Sequence, residues 1–139
     1  MGRFLKAAYG KALYVIMMKN RRRCKIDEYI RLMNKSEDYI EQNLSESISL
    51  DDLARNANMS KYHFHRLFSK YNEETVKQFI TRIKMERSSM LLMARPDLSI
   101  TELAFRYGYN DASTYSKAFK KHMGMSPSAF RTARNDKPS

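Results

Sequence analysis

The sequence has one cysteine, few glycines and prolines, and no apolar run long enough to cross a membrane. Cys24 by itself cannot close an internal disulfide, and it falls short of the three or four ligands of a cysteine-rich structural zinc site. Four glycines and three prolines are too few for many tight β turns. The composition therefore predicts an all-α chain without a metal or cofactor. Its chemistry leaves the redox compartment open, although a reducing cytoplasm fits.

The N-terminal segment includes the six apolar residues 13–18. A membrane span needs about 20 apolar residues. Lys6 and Lys11 interrupt the surrounding apolar region, which is unlike a secretory signal. We expect no membrane partner.

The chain has a net charge of +11, and acidic residues are absent from three parts of it. Residues 1–26 hold eight basic residues and no acid, and residues 53–72 and 112–135 are also free of acids. Such a distribution predicts an anionic partner such as nucleic acid. We interpret residues 1–26 as a frayed or weakly helical basic extension, with a membrane-surface helix as the alternative, and residues 27–139 as the folded domain.

A repeated unit organises that domain. The segment Ser49-Leu-Asp-Asp-Leu-Ala54 aligns with Ser99-Ile-Thr-Glu-Leu-Ala104 at an offset of 50 residues. Each copy begins with the spacing of a capping box, in which a serine and an acidic side chain satisfy free backbone donors. Asn58 and Gly108 follow as residues that tolerate the left-handed conformation ending a helix. Each copy therefore predicts a helix-turn-helix, at about 49–71 and 99–123.

The second helix of each copy has an inward and an outward face. Phe64, Leu67, Phe68 and Tyr71 recur at helical spacing, as do their counterparts Tyr115, Ala118, Phe119 and His122. The remaining side chains are predicted to point outward and are polar, small or basic. They are Lys61, Tyr62, His65, Arg66 and Ser69 in the first copy and Ala112, Ser113, Ser116, Lys117 and Lys120 in the second.

Three further helices are predicted. A helix before Asn43 packs on the first copy, and a short final helix at about 126–134 begins at Ser126-Pro127. Between the copies, a linker helix at about 74–94 has a length of roughly 30 Å, close to the spacing of about 34 Å between successive major grooves. Its apolar stripe is expected to comprise Val76, Phe79, Ile80, Ile83, Met90, Leu91 and Ala94. The fold is thus expected to have about seven helices.

These residues resemble the tandem helix-turn-helix domain of AraC/XylS-type transcriptional regulators. The resemblance covers about residues 30–134 and rests most on residues 100–111 and 119–127. It implies base contacts from the exposed start and middle of each second helix. These base-contacting candidates are Tyr62, His65, Arg66, Ala112, Ser113, Thr114 and Lys117.

Arg66 and Lys117 are the strongest of these candidates, because cationic donors suit guanine O6 and N7. Ala112 and Ser113 are short beside the glutamines of some relatives, which predicts less direct readout by the second copy. Phosphate contacts are expected from Ser60, Lys61, Arg82, Lys120 and Ser126.

Catalysis is not predicted, because no serine lies in a nucleophile turn and no phosphate loop is present. His63 and His65 lie two residues apart, on different sides of a helix, which argues against a metal site. The leading hypothesis is a sequence-specific activator that binds double-stranded DNA as a monomer and contacts RNA polymerase. The alternative is a protein-interaction module with only nonspecific DNA binding. Whether a sensory domain belongs to this chain stays open.

Overall fold

A computed structural model describes residues 23–135, which contain seven α-helices and no strand. The all-α prediction is confirmed. The helices are α1 (Arg23–Gln42), α2 (Leu50–Asn56), α3 (Lys61–Tyr71), α4 (Val76–Ala94), α5 (Ile100–Arg106), α6 (Ala112–Met123) and α7 (Pro127–Asn135). None of these helices is long and apolar enough to span a bilayer.

The chain divides into two compact units. Among the described residues, the first consists of 23–39 together with 49–76, and the second of 40–48 together with 77–135. The two repeats therefore fall in different units, α2–α3 in the first and α5–α6 in the second. Helix α1 begins at Arg23, inside the stretch interpreted as a basic extension. The rest of that extension, with its apolar run at 13–18, lies outside the described residues.

The first unit is held together by α1, α2 and α3. Ser49 and Asp52 form the predicted capping box, with the Asp52 amide donating to Ser49 Oγ over 3.2 Å. Phe64 and Phe68 on α3 are fully buried, as is Tyr29 of α1, whose ring centre lies 4.7 Å from that of Tyr71. The inward face of α3 is therefore confirmed at its centre, while Tyr71 is only half-buried.

Both helix-turn-helix turns have the same backbone geometry. Asn58 and Gly108 adopt positive φ angles, 57° and 85°. The amide of the next residue then donates back to a buried alanine of the first helix, Met59 N to Ala54 O and Tyr109 N to Ala104 O, each over 2.9 Å. The predicted left-handed helix ends are therefore present in both copies.

The second unit has its own apolar core, which α4, α5 and α6 supply. Met85, Leu92, Leu103, Tyr115 and Phe119 are completely buried in it. The Tyr115 hydroxyl donates to Ser88 Oγ over 3.1 Å, so this polar group is satisfied inside the core. Partly buried side chains of α6 and α7, among them Ala118 and Phe130, pack against the same cluster.

Helix α4 departs from the single apolar stripe expected of it. Ile83 is buried as predicted, but Met90 is 62% exposed and Ala94 is exposed, while Met85 and Leu92 are completely buried. Because Ile83 and Met85 are two residues apart, they lie about 200° apart around the helix. The buried face therefore changes side along α4, and the prediction of Met90 and Ala94 as inward residues is wrong.

A buried lysine joins α4 to the segment that follows α1. Lys84 is 8% exposed, and its Nζ donates to the carbonyl oxygen of Glu46 over 2.7 Å. Desolvation by the surrounding protein lowers the pKa of Lys84, against the opposing effect of the Glu46 charge. A methyl group on Gly108 would lie 3.0 Å from the Ser45 carbonyl oxygen and 3.5 Å from Lys84 Nζ. Position 108 thus requires glycine for two reasons, because its φ angle is positive and because a side chain would press on the Ser45 backbone.

Gly108→Ala and Gly124→Ala separate these two effects, because both glycines have a φ of +85° and only Gly108 has neighbours within 4 Å. We expect Gly124→Ala to lower the unfolding free energy by about 1 kcal/mol, the usual strain of a left-handed residue. Gly108→Ala should lower it further, since the Ser45 backbone must move. Urea denaturation of both variants measures the difference, and equal decreases would contradict the role of the contact.

Tyr115 predicts a loss of stability at high pH. Burial raises the pKa of Tyr115 to about 12, and the Ser88 hydrogen bond opposes this only in part. The folded pKa therefore lies above the ordinary value of 10.0, so the contribution of neutral Tyr115 is complete below pH 10 and is lost as the pH rises to 12. Tyr115→Phe should flatten this part of the curve of unfolding free energy against pH, as measured by chemical denaturation.

Candidate nucleic-acid interface

The outward face of α3 begins at a serine cap. Ser60 Oγ accepts a hydrogen bond from the His63 amide over 3.1 Å, which holds the first turn of the helix. Tyr62 is 75% exposed, and His65 and Arg66 are exposed beside it. The three base-contacting candidates of the first copy therefore share a solvent-accessible surface that packing leaves open.

The outward face of α6 begins at an aspartate cap. Asp111 Oδ1 accepts from the Thr114 amide over 2.7 Å, and this bond is the main cause that lowers the pKa of Asp111. The start of α6 therefore carries a negative charge where α3 has a neutral serine. Ser113, Thr114 and Lys117 are exposed, whereas Ala112 is half-buried. Apart from Lys117, the accessible side chains are smaller than those of α3.

Arg66 and Lys117 have no ion-pair partner within residues 23–135. The charge of Lys117 contributes only a minor lowering of the Asp111 pKa. Other arginines are neutralised by neighbours. They are Arg55 with Asp51 at 2.6 Å, Arg87 with Glu41, and Arg95 with Asp97 at 2.8 Å. The two strongest base-contacting candidates thus keep their positive charge for an external anion.

The five phosphate-contacting candidates differ in their availability. Lys61 and Lys120 are exposed, while Ser60 and Ser126 hold helix starts, Ser126 Oγ accepting from the Ala129 amide over 3.2 Å. Arg82 is half-buried, donates to Glu86 over 3.1 Å and lies 5.6 Å from the centre of the Phe79 ring. Its charge is therefore partly neutralised within the protein.

The histidines are separated as the sequence predicted. His63 Nε2 lies 2.8 Å from Glu28 Oε1 and joins α3 to α1, whereas His65 is exposed on the outward face. His122 is half-buried on α6. Within residues 23–135, no three histidine, cysteine or acidic side chains form a group that could hold a metal ion.

Two residues that the sequence did not single out shape this part of the protein. Arg131 lies in an acid-free stretch, yet its guanidinium donates to the carbonyl oxygens of Leu92, Leu98 and Arg95 over 2.9 to 3.3 Å and so caps the end of α4. Phe105 on α5 is 56% exposed. The exposure of Phe105 follows from its place outside the apolar stripe of α5. Nothing in the sequence indicates the hydrogen bonds of Arg131.

Two capped helix-turn-helix units, each with an open and acid-poor second helix, define a tandem helix-turn-helix protein. A family model described as a helix-turn-helix domain matches residues 53–133. The activator AarP of Providencia stuartii is 31% identical over 93 residues, which cover 67% of this chain and 68% of AarP. The chain belongs to the AraC/XylS family of helix-turn-helix transcriptional regulators, a family of DNA-binding proteins and not of enzymes.

Longer relatives match this chain with only part of their length. The Msm operon regulatory protein of Streptococcus mutans is 34% identical over 99 residues, which cover 71% of this chain and 35% of that protein. The chain spans 33–35% of the first curated relatives that it matches. The DNA-binding domain of AdpA, solved in complex with a target DNA, is 27% identical with a TM-score of 0.65, covering 76% of this chain and 93% of that domain.

Proposed function

We propose that this chain is a sequence-specific DNA-binding transcriptional regulator that inserts α3 and α6 into successive major grooves of one site. The observation that carries this proposal is the pair of open outward faces on two copies of the same capped unit, with Arg66 and Lys117 free of ion pairs within residues 23–135. The AdpA domain provides support as a related fold bound to its target DNA.

The two helices divide the base contacts unequally. On α3, Arg66 donates to guanine O6 and N7, the commonest specific contact of an arginine in the major groove. Tyr62 and His65, both exposed, flank it with large side chains. On α6, Lys117 is the only long cationic candidate, beside the short side chains of Ala112, Ser113 and Thr114. Direct readout is therefore stronger on α3.

Phosphate contacts position the helices without reading the sequence. Lys61 and Lys120 supply exposed charge, and Ser60 and Ser126 lie at helix N-termini, whose dipoles favour anions. A smaller contribution is expected from Arg82, because Glu86 partly neutralises its charge. A steep dependence of DNA affinity on salt follows from these contacts.

We further propose that the regulatory outcome is activation and that RNA polymerase is the protein partner. We also propose that the chain binds DNA as a monomer in the cytoplasm. The related AarP bears the name of an activator. Phe105 supports a protein contact, because it is 56% exposed where the first copy has Arg55, which pairs with Asp51 over 2.6 Å. An exposed phenylalanine gains free energy only when a partner covers it.

Selection from a randomised duplex pool at near-physiological salt tests the DNA-binding proposal. The wild-type chain should enrich two sequence blocks about one helical turn apart. Arg66→Ala with Lys117→Ala should abolish this enrichment, because each base contact supplies about 1–3 kcal/mol of discrimination that the variant cannot make. The matched control is Arg55→Ala with Arg95→Ala, which removes the same charge from arginines that are already ion-paired.

The control variant should enrich the same two blocks as the wild-type chain. A wild-type chain that binds every duplex alike would contradict sequence-specific regulation and support the module with only nonspecific DNA binding. Equal loss of enrichment in both double variants would show that net charge, and not the faces of α3 and α6, governs binding.

Phe105→Ala tests the protein contact separately from DNA binding. Because Phe105 is exposed, the substitution should leave stability and DNA affinity unchanged. Transcription by purified RNA polymerase from a promoter carrying the selected site should fall about five-fold, as expected when about 1 kcal/mol of interface energy is removed. Thr101→Ala, also exposed on α5, is the control. Unchanged transcription by the Phe105→Ala protein would contradict this role.

A further inference from the structure

The first unit contains an open cavity of about 680 Å³ beside the recognition helix. One wall is a face of α1 that includes Glu28, Arg31 and Lys35. The opposite wall includes Ser60 and His63, the cap and the third residue of α3. The cavity therefore adjoins the end of α3 that begins the outward face.

Two cations of the α1 wall are uncompensated. Arg31 and Lys35 are exposed and four residues apart, so they lie on the same side of α1. Within residues 23–135 neither forms an ion pair, not even with Asp38 in the next turn. The carboxylate of Glu28 instead lies 2.8 Å from His63 Nε2. The cavity thus has net positive charge.

The position of the cavity indicates which anion it meets. In helix-turn-helix proteins, the N-terminal residues of the recognition helix reach base edges in the major groove. The phosphates of the two strands border that groove, so groups beside the first turn of the helix face the DNA backbone. The Ser60 and His63 wall of the cavity is this first turn.

We infer that α1 binds the DNA backbone through Arg31 and Lys35, next to the base pairs that α3 reads. This inference rests on the proposed function and adds α1 to the elements that contact DNA. A small anion or an acidic peptide would also match the charge of the cavity. The direct continuity of the cavity with the first turn of α3 favours the DNA backbone.

The test is the salt dependence of affinity for the selected duplex, measured for the wild-type chain and for Arg31→Gln with Lys35→Gln. The slope of log affinity against log salt should fall by about 1.8, at roughly 0.9 for each phosphate that the variant leaves without a cation. The order of preference among duplexes should not change, because phosphate contacts carry no base information. Thermal unfolding should also be unchanged, since both side chains are exposed.

Arg95→Gln is the matched control for Arg31→Gln. It removes one charge from an exposed arginine of the second unit that is paired with Asp97 over 2.8 Å. Arg31→Gln should lower the slope by about 0.9, because one phosphate is no longer neutralised, whereas Arg95→Gln should leave it at the wild-type value. Equal slopes for these two variants would overturn the inference.

A shortened duplex separates this inference from the proposed function. On a duplex that ends at the first half-site and lacks the flanking phosphates, the wild-type chain and the double variant should bind equally. If the wild-type chain selects a sequence but the double variant keeps its salt slope on the full duplex, α1 does not contact DNA and the proposed function stands. If the wild-type chain selects no sequence, the proposed function itself fails.

Discussion

The turn between the two helices is the constraint on which each helix-turn-helix unit depends. Ala54 and Ala104 are 1% and 0% exposed, and each carbonyl accepts an amide from the turn that follows. The chain can make that turn only through a residue with positive φ, which Asn58 and Gly108 provide. With the inward face of the second helix buried, its opposite face is left open to solvent.

The protein uses its positive charge in three different ways. Arg131 and Lys84 act structurally, donating to backbone carbonyl oxygens and holding segments of the second unit together. Arg55, Arg87 and Arg95 are paired with carboxylates. The pairs of Arg55 and Arg95 lie at the surface, where such pairs add little stability. Arg66 and Lys117 take neither role within the described residues. A net charge of +11 therefore says less about binding than the absence of partners around these two side chains.

The two copies are alike in backbone and different in chemistry. A serine caps α3 and a charged aspartate caps α6, and the base-contacting candidates are all large on α3 but, apart from Lys117, short on α6. The first helices differ too. Where α2 has the ion pair of Asp51 and Arg55, α5 has Thr101 and the exposed Phe105. A repeated fold has thus acquired two distinct surfaces, for which we propose different shares of the contacts with DNA and polymerase.

The sequence by itself determined the helix starts, the left-handed helix ends and the outward faces of α3 and α6. These features depend on residues three or four positions apart, whose interactions are local and repeat in both copies. For the base contacts, the sequence could therefore predict which side chains are accessible.

Only the tertiary structure decided which faces of α4 are buried, because a helix that buries more than one side has no single apolar period to read. It also decided the roles of Arg131 and Lys84, whose partners lie 39 and 38 residues away. The cavity beside Arg31 and Lys35 depends likewise on how α1 packs against a turn more than 20 residues further along the chain. Contacts of such separation leave no periodic pattern in a single sequence, since packing alone brings the residues together.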